Sequence, residues 1–289
     1  MKYNKKFYDC TINEFFRDAF KDAPTTCIIK GTAGPQYELS DKAIDFSDCL
    51  QLKDRSANMA DGHSGKVDVI EIEGKRVCVV HGRLHYYQGY SIEEVVMLPR
   101  MLALWGCKKF IITNASGSLQ SDYKVGQIVN VTDQVLDGSI PNPMIGADII
   151  KNDNGEPLFG TGFTSMEDAC GLAPLVNKIM LETQHEDLRK RIKVSGRYTA
   201  TCGPTFESLS ESIKFKQYSD IVGMSSVPEL YALRCMGLTD LAILSLITNV
   251  TPVLRKEGVQ VNHDDNLKEA IKAQPAFTAL TNETVKQAA

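Results

Sequence analysis

The sequence predicts an α/β protein. A central mixed, mostly parallel sheet lies between two helical layers, and residues 1–289 form a single domain. Three observations predict it. Short runs rich in β-branched residues recur along the chain. Stretches with helical periodicity lie between several of them, the alternation expected of a sheet covered on both faces. No linker, repeat or low-complexity stretch divides the chain.

The apolar runs come in order as "CII" at 27–29, "VCVV" at 77–80, "FIIT" at 110–113, "QIVNV" at 127–131, "GRYTAT" at 196–201 and "LAILSLIT" at 241–248. Each is expected to form a strand. The clearest helix follows Ser91. Ser91 and Glu94 make a capping box, and Val95, Leu98, Leu102 and Trp105 then recur at helical spacing despite Pro99. Pro228 suits the first turn of another helix, which carries Leu230, Leu233 and Met236 and stops at Gly237. The final segment from Asn266 reads as a weaker helix, interrupted by Pro275.

Composition excludes several classes. Hydrophobic residues make up 43% and charged residues 24%, as in ordinary globular proteins. A net charge of −4 argues against a nucleic-acid binder that relies on basic charge. The first twenty residues lack the apolar core of a signal peptide, and no apolar run approaches the roughly 20 residues of a membrane span. The expectation is a cytoplasmic protein with no nucleic-acid or membrane partner. Its eight cysteines include no CxxC pair and are expected to be reduced, largely core residues.

Five polar segments start where an apolar run ends: "GTAG", "HGRLHYY", "NASGS", "GMSSV" and "NVT". Ligands in open α/β sheets bind outside the carboxyl ends of strands, so the five point to one shared pocket. Strands also have to end in turns, and glycine and asparagine are turn residues. Within "HGRLHYYQGY", an extended backbone would put Arg83, His85 and Tyr87 on one face. Arg83 offers a donor fork suited to phosphate. "GTAG" is a short glycine loop with one hydroxyl, Thr32, whose backbone amides could cradle an anion. Ser225 and Ser226 precede a helix and read equally as N-caps or anion donors. Glu207 follows a Gly-Pro turn beside Phe206 and also fits an ordinary first-turn acid. Asn249 also fits a turn former, and His263 an exposed residue at a helix cap. The five histidines show no metal spacing, and "GMSSV" is not the hydrolase elbow GxSxG.

Taken together, "GRLHYYQGY", "TNASGSL", "GPTFES", "VGMSSVPE", "LITN" and "NHDD" resemble the trimeric class of purine nucleoside phosphorylases, in the same order and at similar separations from about residue 27 to 270. That resemblance implies phosphorolysis of purine nucleosides, preferably inosine and guanosine, to free base and ribose 1-phosphate in purine salvage. No metal or organic cofactor is implied; inorganic phosphate is the co-substrate. Thr32, His63, Arg83, His85, Ala115 and Ser225 would hold phosphate. Tyr87, Met224 and His263 would hold the ribose, with Phe163 of a neighbouring subunit over it in a homotrimer. Phe206, Glu207 and Asn249 would hold the purine, lined by Ala115, Ser116 and Gly117. His85, Glu207, Asn249 and His263 would carry catalysis. A methylthioadenosine or other 6-aminopurine phosphorylase, or a non-catalytic nucleoside-binding relative, are the alternatives. The chain departs from the family pattern at "GTAGPQ", Gln88, Ser116 and Thr251.

Overall fold

The computed structural model describes residues 4–49, 64–255 and 263–288, without the side chains at 47, 49 and 263–265. Nine strands form one sheet: β1 (Thr26–Lys30), β2 (Ile44–Asp45), β3 (Lys66–Ile72), β4 (Lys75–His81), β5 (Lys109–Ser118), β6 (Ile128–Leu136), β7 (Ile192–Ala200), β8 (Ile221–Gly223) and β9 (Leu241–Val250). All six expected runs lie in strands. Three strands lie outside those runs: β8 is the short apolar stretch before "GMSSV", and two were not anticipated from their own residues. In β3, Lys66, Asp68 and Glu71 interrupt the apolar pattern, yet the strand forms a hairpin with β4 across Glu73 and Gly74. Both turn residues have positive φ, 51° and 72°, as a two-residue hairpin turn requires. The other, β2, has two residues.

The strand order is β2-β3-β4-β1-β5-β8-β7-β6-β9, and β9 also pairs with β5. The sheet therefore curls, and β5, β8, β7, β6 and β9 close into a ring. Strand β5 has different neighbours along its length. Lys109 to Ile112 pair with β1, and only Gly117 and Ser118 pair with β8 on the other side of a gap. Strand β9 runs parallel to β5 along nearly its whole length, which keeps "NASGS" in the strand rather than in the turn its composition suggested. Thr248 bulges between Ile247 and Asn249. The gap beside Thr113 to Ser116 is where a ligand can reach backbone.

Helices cover both faces. On one side lie α1 (Lys5–Thr11), α2 (Asp18–Phe20), α3 (Phe46–Cys49), α4 (Ile92–Trp105) and α8 (Val227–Cys235). They share a core with Cys27, Ile29, Phe110 and Ile112. On the other lie α5 (Ala173–Glu182), α6 (Glu186–Arg191) and α9 (His263–Gln287), packed on Ile28, Ile111 and Leu244. The alternating burial of strand residues follows from the two-residue strand period. Helix α7 (Leu209–Lys216) packs Phe215 against Leu119 and Val222. The capping box at Ser91 and Glu94 forms as expected. Helix α8 ends at Cys235, one residue before the expected Met236, and Gly237 follows with φ 85°. The last helix does not stop at Pro275. Proline removes one bond, to the carbonyl of Ile271, and Ile271 lies on an exposed turn where water can satisfy that carbonyl. The seven described cysteines are free thiols, and Cys27, Cys78, Cys107, Cys170 and Cys235 are buried.

Candidate active site

All five polar segments meet at one cavity of about 500 Å3, at the gap between β1 and β8. One end carries Arg83, His85, Thr32 and Ser225. Arg83 is 4% exposed and donates in three directions: Nε to Glu229 Oε1 at 3.1 Å, Nη1 to the Thr113 carbonyl at 2.8 Å, and Nη2 to the Ile29 carbonyl at 3.3 Å. Such anchoring fixes a planar cation at the cavity wall. Burial pushes the Glu229 carboxyl up, and the Arg83 guanidinium pulls it back down. Gly31 makes the fit possible, because a Cβ there would lie 2.6 Å from Arg83 Nη1.

The expectation of an extended Arg83–His85–Tyr87 face is corrected. The backbone is extended at His85 and then turns through a 3-10 segment, Tyr86–Gln88. Arg83 withdraws to Glu229, while the His85 and Tyr87 rings stack at 4.8 Å. Gln88 supports His85: its Oε1 accepts from the His85 backbone amide at 2.8 Å and lies 3.2 Å from Nδ1. The backbone amide can only donate, so the facing atom of Gln88 is its oxygen. Thr32 and Ser225 complete this end of the cavity.

Tyr87 and Met224 line the middle. Both crowd Gly203, where a Cβ would sit 2.5 Å from Met224 Sδ and 3.0 Å from Tyr87 Cδ1. Burial raises the Tyr87 hydroxyl above its usual range, opposed by Arg83. Phe206, Glu207, Ala115, Ser116, Gly117 and Asn249 line the rest.

Two of the open readings close here. Glu207 is not a first-turn acid: Ser208 caps α7 and its box partner is Glu211, so Glu207 precedes the helix and faces the cavity. Burial pushes its carboxyl up; its own backbone amide and Arg255 pull it down, and Glu211 adds to the rise. Asn249 is not in a turn but inside β9, next to the Thr248 bulge. A bulge at a cavity rim re-aims a side chain. Ser226 occupies the N-cap position of α8 without a side-chain capping bond. Thr251 is fully buried and turns its hydroxyl to the Ser118 carbonyl at 2.8 Å.

Three expected residues stand apart. His63 lies outside the described residues, as does the side chain of His263. Phe163 is fully exposed and does not line this cavity. The sequence did not single out Asn114, Val222, Thr248 or Asn266, which also line it. Asn114 and Thr248 sit within motif segments and were legible by adjacency. Asn266 depends on how α9 docks and had no signal of its own.

The fold and cavity define an α/β protein whose cavity joins a cationic, hydroxyl-bearing end to an end with a carboxyl and a carboxamide. A sequence model of the phosphorylase superfamily matches residues 36–286. Purine nucleoside phosphorylase 1 of Bacillus subtilis (strain 168) is 32% identical over 232 residues, 78% of this chain and 79% of that protein. The purine nucleoside phosphorylase of Rattus norvegicus is 28% identical over 279 residues, 94% of this chain and 93% of that one. The fold is shared with Schistosoma mansoni purine nucleoside phosphorylase in complex with inosine: TM-score 0.83, 23% identity, covering 98% of this chain and 97% of that one. The chain thus belongs to the phosphorylase superfamily and, within it, to the purine nucleoside phosphorylases. It is an enzyme of nucleoside phosphorolysis that binds nucleoside and phosphate.

Proposed function

We propose that the enzyme prefers 6-oxopurine nucleosides, inosine and guanosine, and serves purine salvage with phosphate as its only co-substrate and no cofactor. The observation that carries this reading is the cavity itself. It joins a cationic, hydroxyl-rich end at Arg83, His85, Thr32 and Ser225 to an end with one carboxyl and one carboxamide, Glu207 and Asn249. Its volume of about 500 Å3 suits a nucleoside with phosphate beside it.

In the reaction, a phosphate oxygen forms a bond to C1′ as the C1′–N9 bond breaks. The bonding pair leaves with the purine, which is then protonated. Positive charge builds on the sugar, as in other glycosidic cleavages. Phosphate beneath C1′ stabilises that charge, and Arg83 holds the phosphate. Glu207 accepts from N1–H, and Asn249 donates toward O6 and N7 as the base gains electrons. Tyr87 and Met224 pack the ribose, and fixed donors act without reorganising during the reaction. The protein is a homotrimer in which Phe163 covers the ribose of the adjacent subunit. Phe163, Ile145 and Ile149 support this, being 101%, 77% and 61% exposed. The Gly162 backbone lies against Met144, so these apolar side chains come from adjoining segments.

The experiment is an initial-rate panel of inosine, guanosine, adenosine and methylthioadenosine, each with and without phosphate. The expected result is phosphate-dependent release of hypoxanthine and guanine, with the 6-amino substrates much slower. Faster turnover of adenosine or methylthioadenosine would overturn the base preference. Binding without turnover of any of the four would indicate a non-catalytic relative.

A further inference from the structure

Ser226 has φ 70° and ψ −42°, a conformation that L residues rarely adopt. The amide of Val227 donates to the Ser225 carbonyl at 2.9 Å, which closes a three-residue γ-turn around Ser226. This form of γ-turn is strained, and strain of this kind persists only where surrounding contacts hold it. The turn aims Ser225 into the cavity.

The holding contacts form a buried chain that leads to the other end of the cavity. Asn114 Nδ2 donates to Ser226 Oγ at 2.8 Å, and Ser226 Oγ lies 3.5 Å from Ser225 Oγ. Ser245 Oγ lies 2.5 Å from Asn114 Oδ1 and 2.8 Å from Ser116 Oγ. Ser116, Asn114, Ser226 and Ser245 are each no more than 4% exposed. A hydroxyl has one proton. The Asn114 oxygen can only accept, so Ser245 donates to it, and the Ser116 proton goes to Ser245 at 2.8 Å in preference to the Leu246 carbonyl at 3.4 Å. The donors from Ser116 through Ser245 and Asn114 to Ser226 then point the same way, and a Ser226 hydroxyl that accepts from Asn114 can turn its own proton to Ser225. In such a chain each acceptor that is polarised becomes a better donor. An anion accepting from Ser225 therefore makes the Ser116 oxygen a stronger acceptor toward the cavity.

We infer that Ser245 and Asn114 are positioning residues that couple the two halves of the site, so that bound phosphate tightens nucleoside binding and the reverse. The inference rests on the proposed function, since it requires both ligands in this cavity. Ser245 does not line the cavity and touches neither ligand. Reciprocity is required of any such coupling.

The test uses calorimetric titration with inorganic phosphate and with a non-cleavable C-nucleoside analogue of inosine, each alone and with the other saturating. In the wild type, phosphate should tighten the analogue roughly fivefold or more. In Ser245→Ala the ratio should fall toward one. A merely structural role would shift both affinities and leave their ratio intact, and that result overturns the inference. Ser226→Gly keeps the positive φ without its strain and removes the hydroxyl link; it should lose the ratio too, and serves if Ser245→Ala does not fold. A wild type that binds both ligands with a ratio of one also overturns the coupling while leaving the proposed function standing. A wild type that binds neither overturns both.

Discussion

At the scale of single residues, the proposed function has Asn249 and Glu207 divide the recognition of the base. Asn249→Asp replaces a group that can donate with one that only accepts. Facing a 6-oxo group it loses a donor, and facing a 6-amino group it gains an acceptor. A lost bond of this kind costs about 1–3 kcal/mol, so the inosine-to-adenosine ratio of kcat/KM should fall roughly five- to a hundredfold. An unchanged ratio would remove Asn249 from the base site. Glu207 sets the acid limb of the pH profile. It must be ionised to accept from N1–H, and burial raises its pKa. Its acceptor is therefore lost on acidification at a higher pH than an ordinary carboxyl near 4.3. Activity toward inosine should be full above that raised pKa and fall as pH drops through it. Glu207→Gln should be slower at every pH and lack this limb; a retained limb would assign it to another group. Arg83 and His85 were legible because they follow an apolar run within two residues of each other, whereas Glu207 was marked only through the resemblance of "GPTFES". Glu229 was not legible as the partner of Arg83. The two lie 146 residues apart, and only the packing of α8 brings them together.

At the scale of elements, the site depends on where β5 leaves β1. Backbone at Thr113 receives Arg83, and Gly31 at the end of β1 leaves room for it. Gly31→Ala would place a Cβ 2.6 Å from both Arg83 Nη1 and the Thr113 carbonyl. Overpacking typically costs about 1–3 kcal/mol. Steady-state kinetics should show the phosphate KM rising by about tenfold, with a smaller change in kcat at saturating phosphate. An unchanged phosphate KM would mean that Arg83 does not hold the anion. The six principal strands were legible because each carries a cluster of β-branched, aromatic or other apolar residues. Strand β3 was not, since its charges break the pattern and its pairing with β4 supplies the order. The reach of β5 through "NASGS" was hidden as well, because β9 alone keeps that polar stretch extended. Helix α9 overrides the local cost of Pro275 through the buried face of Ala273, Phe277 and Leu280.

At the scale of the whole molecule, helices on both faces agree with the expected layers, while the closure of β5, β8, β7, β6 and β9 into a ring does not follow from local patterns. Closure depends on β9 pairing with β5 and β6 at once, a long-range choice. Assembly is the next level. If Phe163 acts across an interface, Phe163→Ala and Glu207→Ala trimers are each impaired at every site, in a ring built head to tail. Mixing them under conditions that exchange subunits should form some sites with both residues intact. Phosphorolysis should then rise above the mean of the parents. Activity that stays at the mean after exchange is verified by mass would show that Phe163 does not act across the interface. A monomer in sedimentation at assay concentration would end that reading sooner. The central claim is that phosphate, not water, receives the sugar at this cavity. The direct measurement is the ratio of ribose 1-phosphate to hypoxanthine formed from inosine in phosphate buffer, with a phosphate-free control. The account predicts equimolar products and no base release without phosphate; free ribose in place of the ester, at a rate indifferent to phosphate, would contradict it.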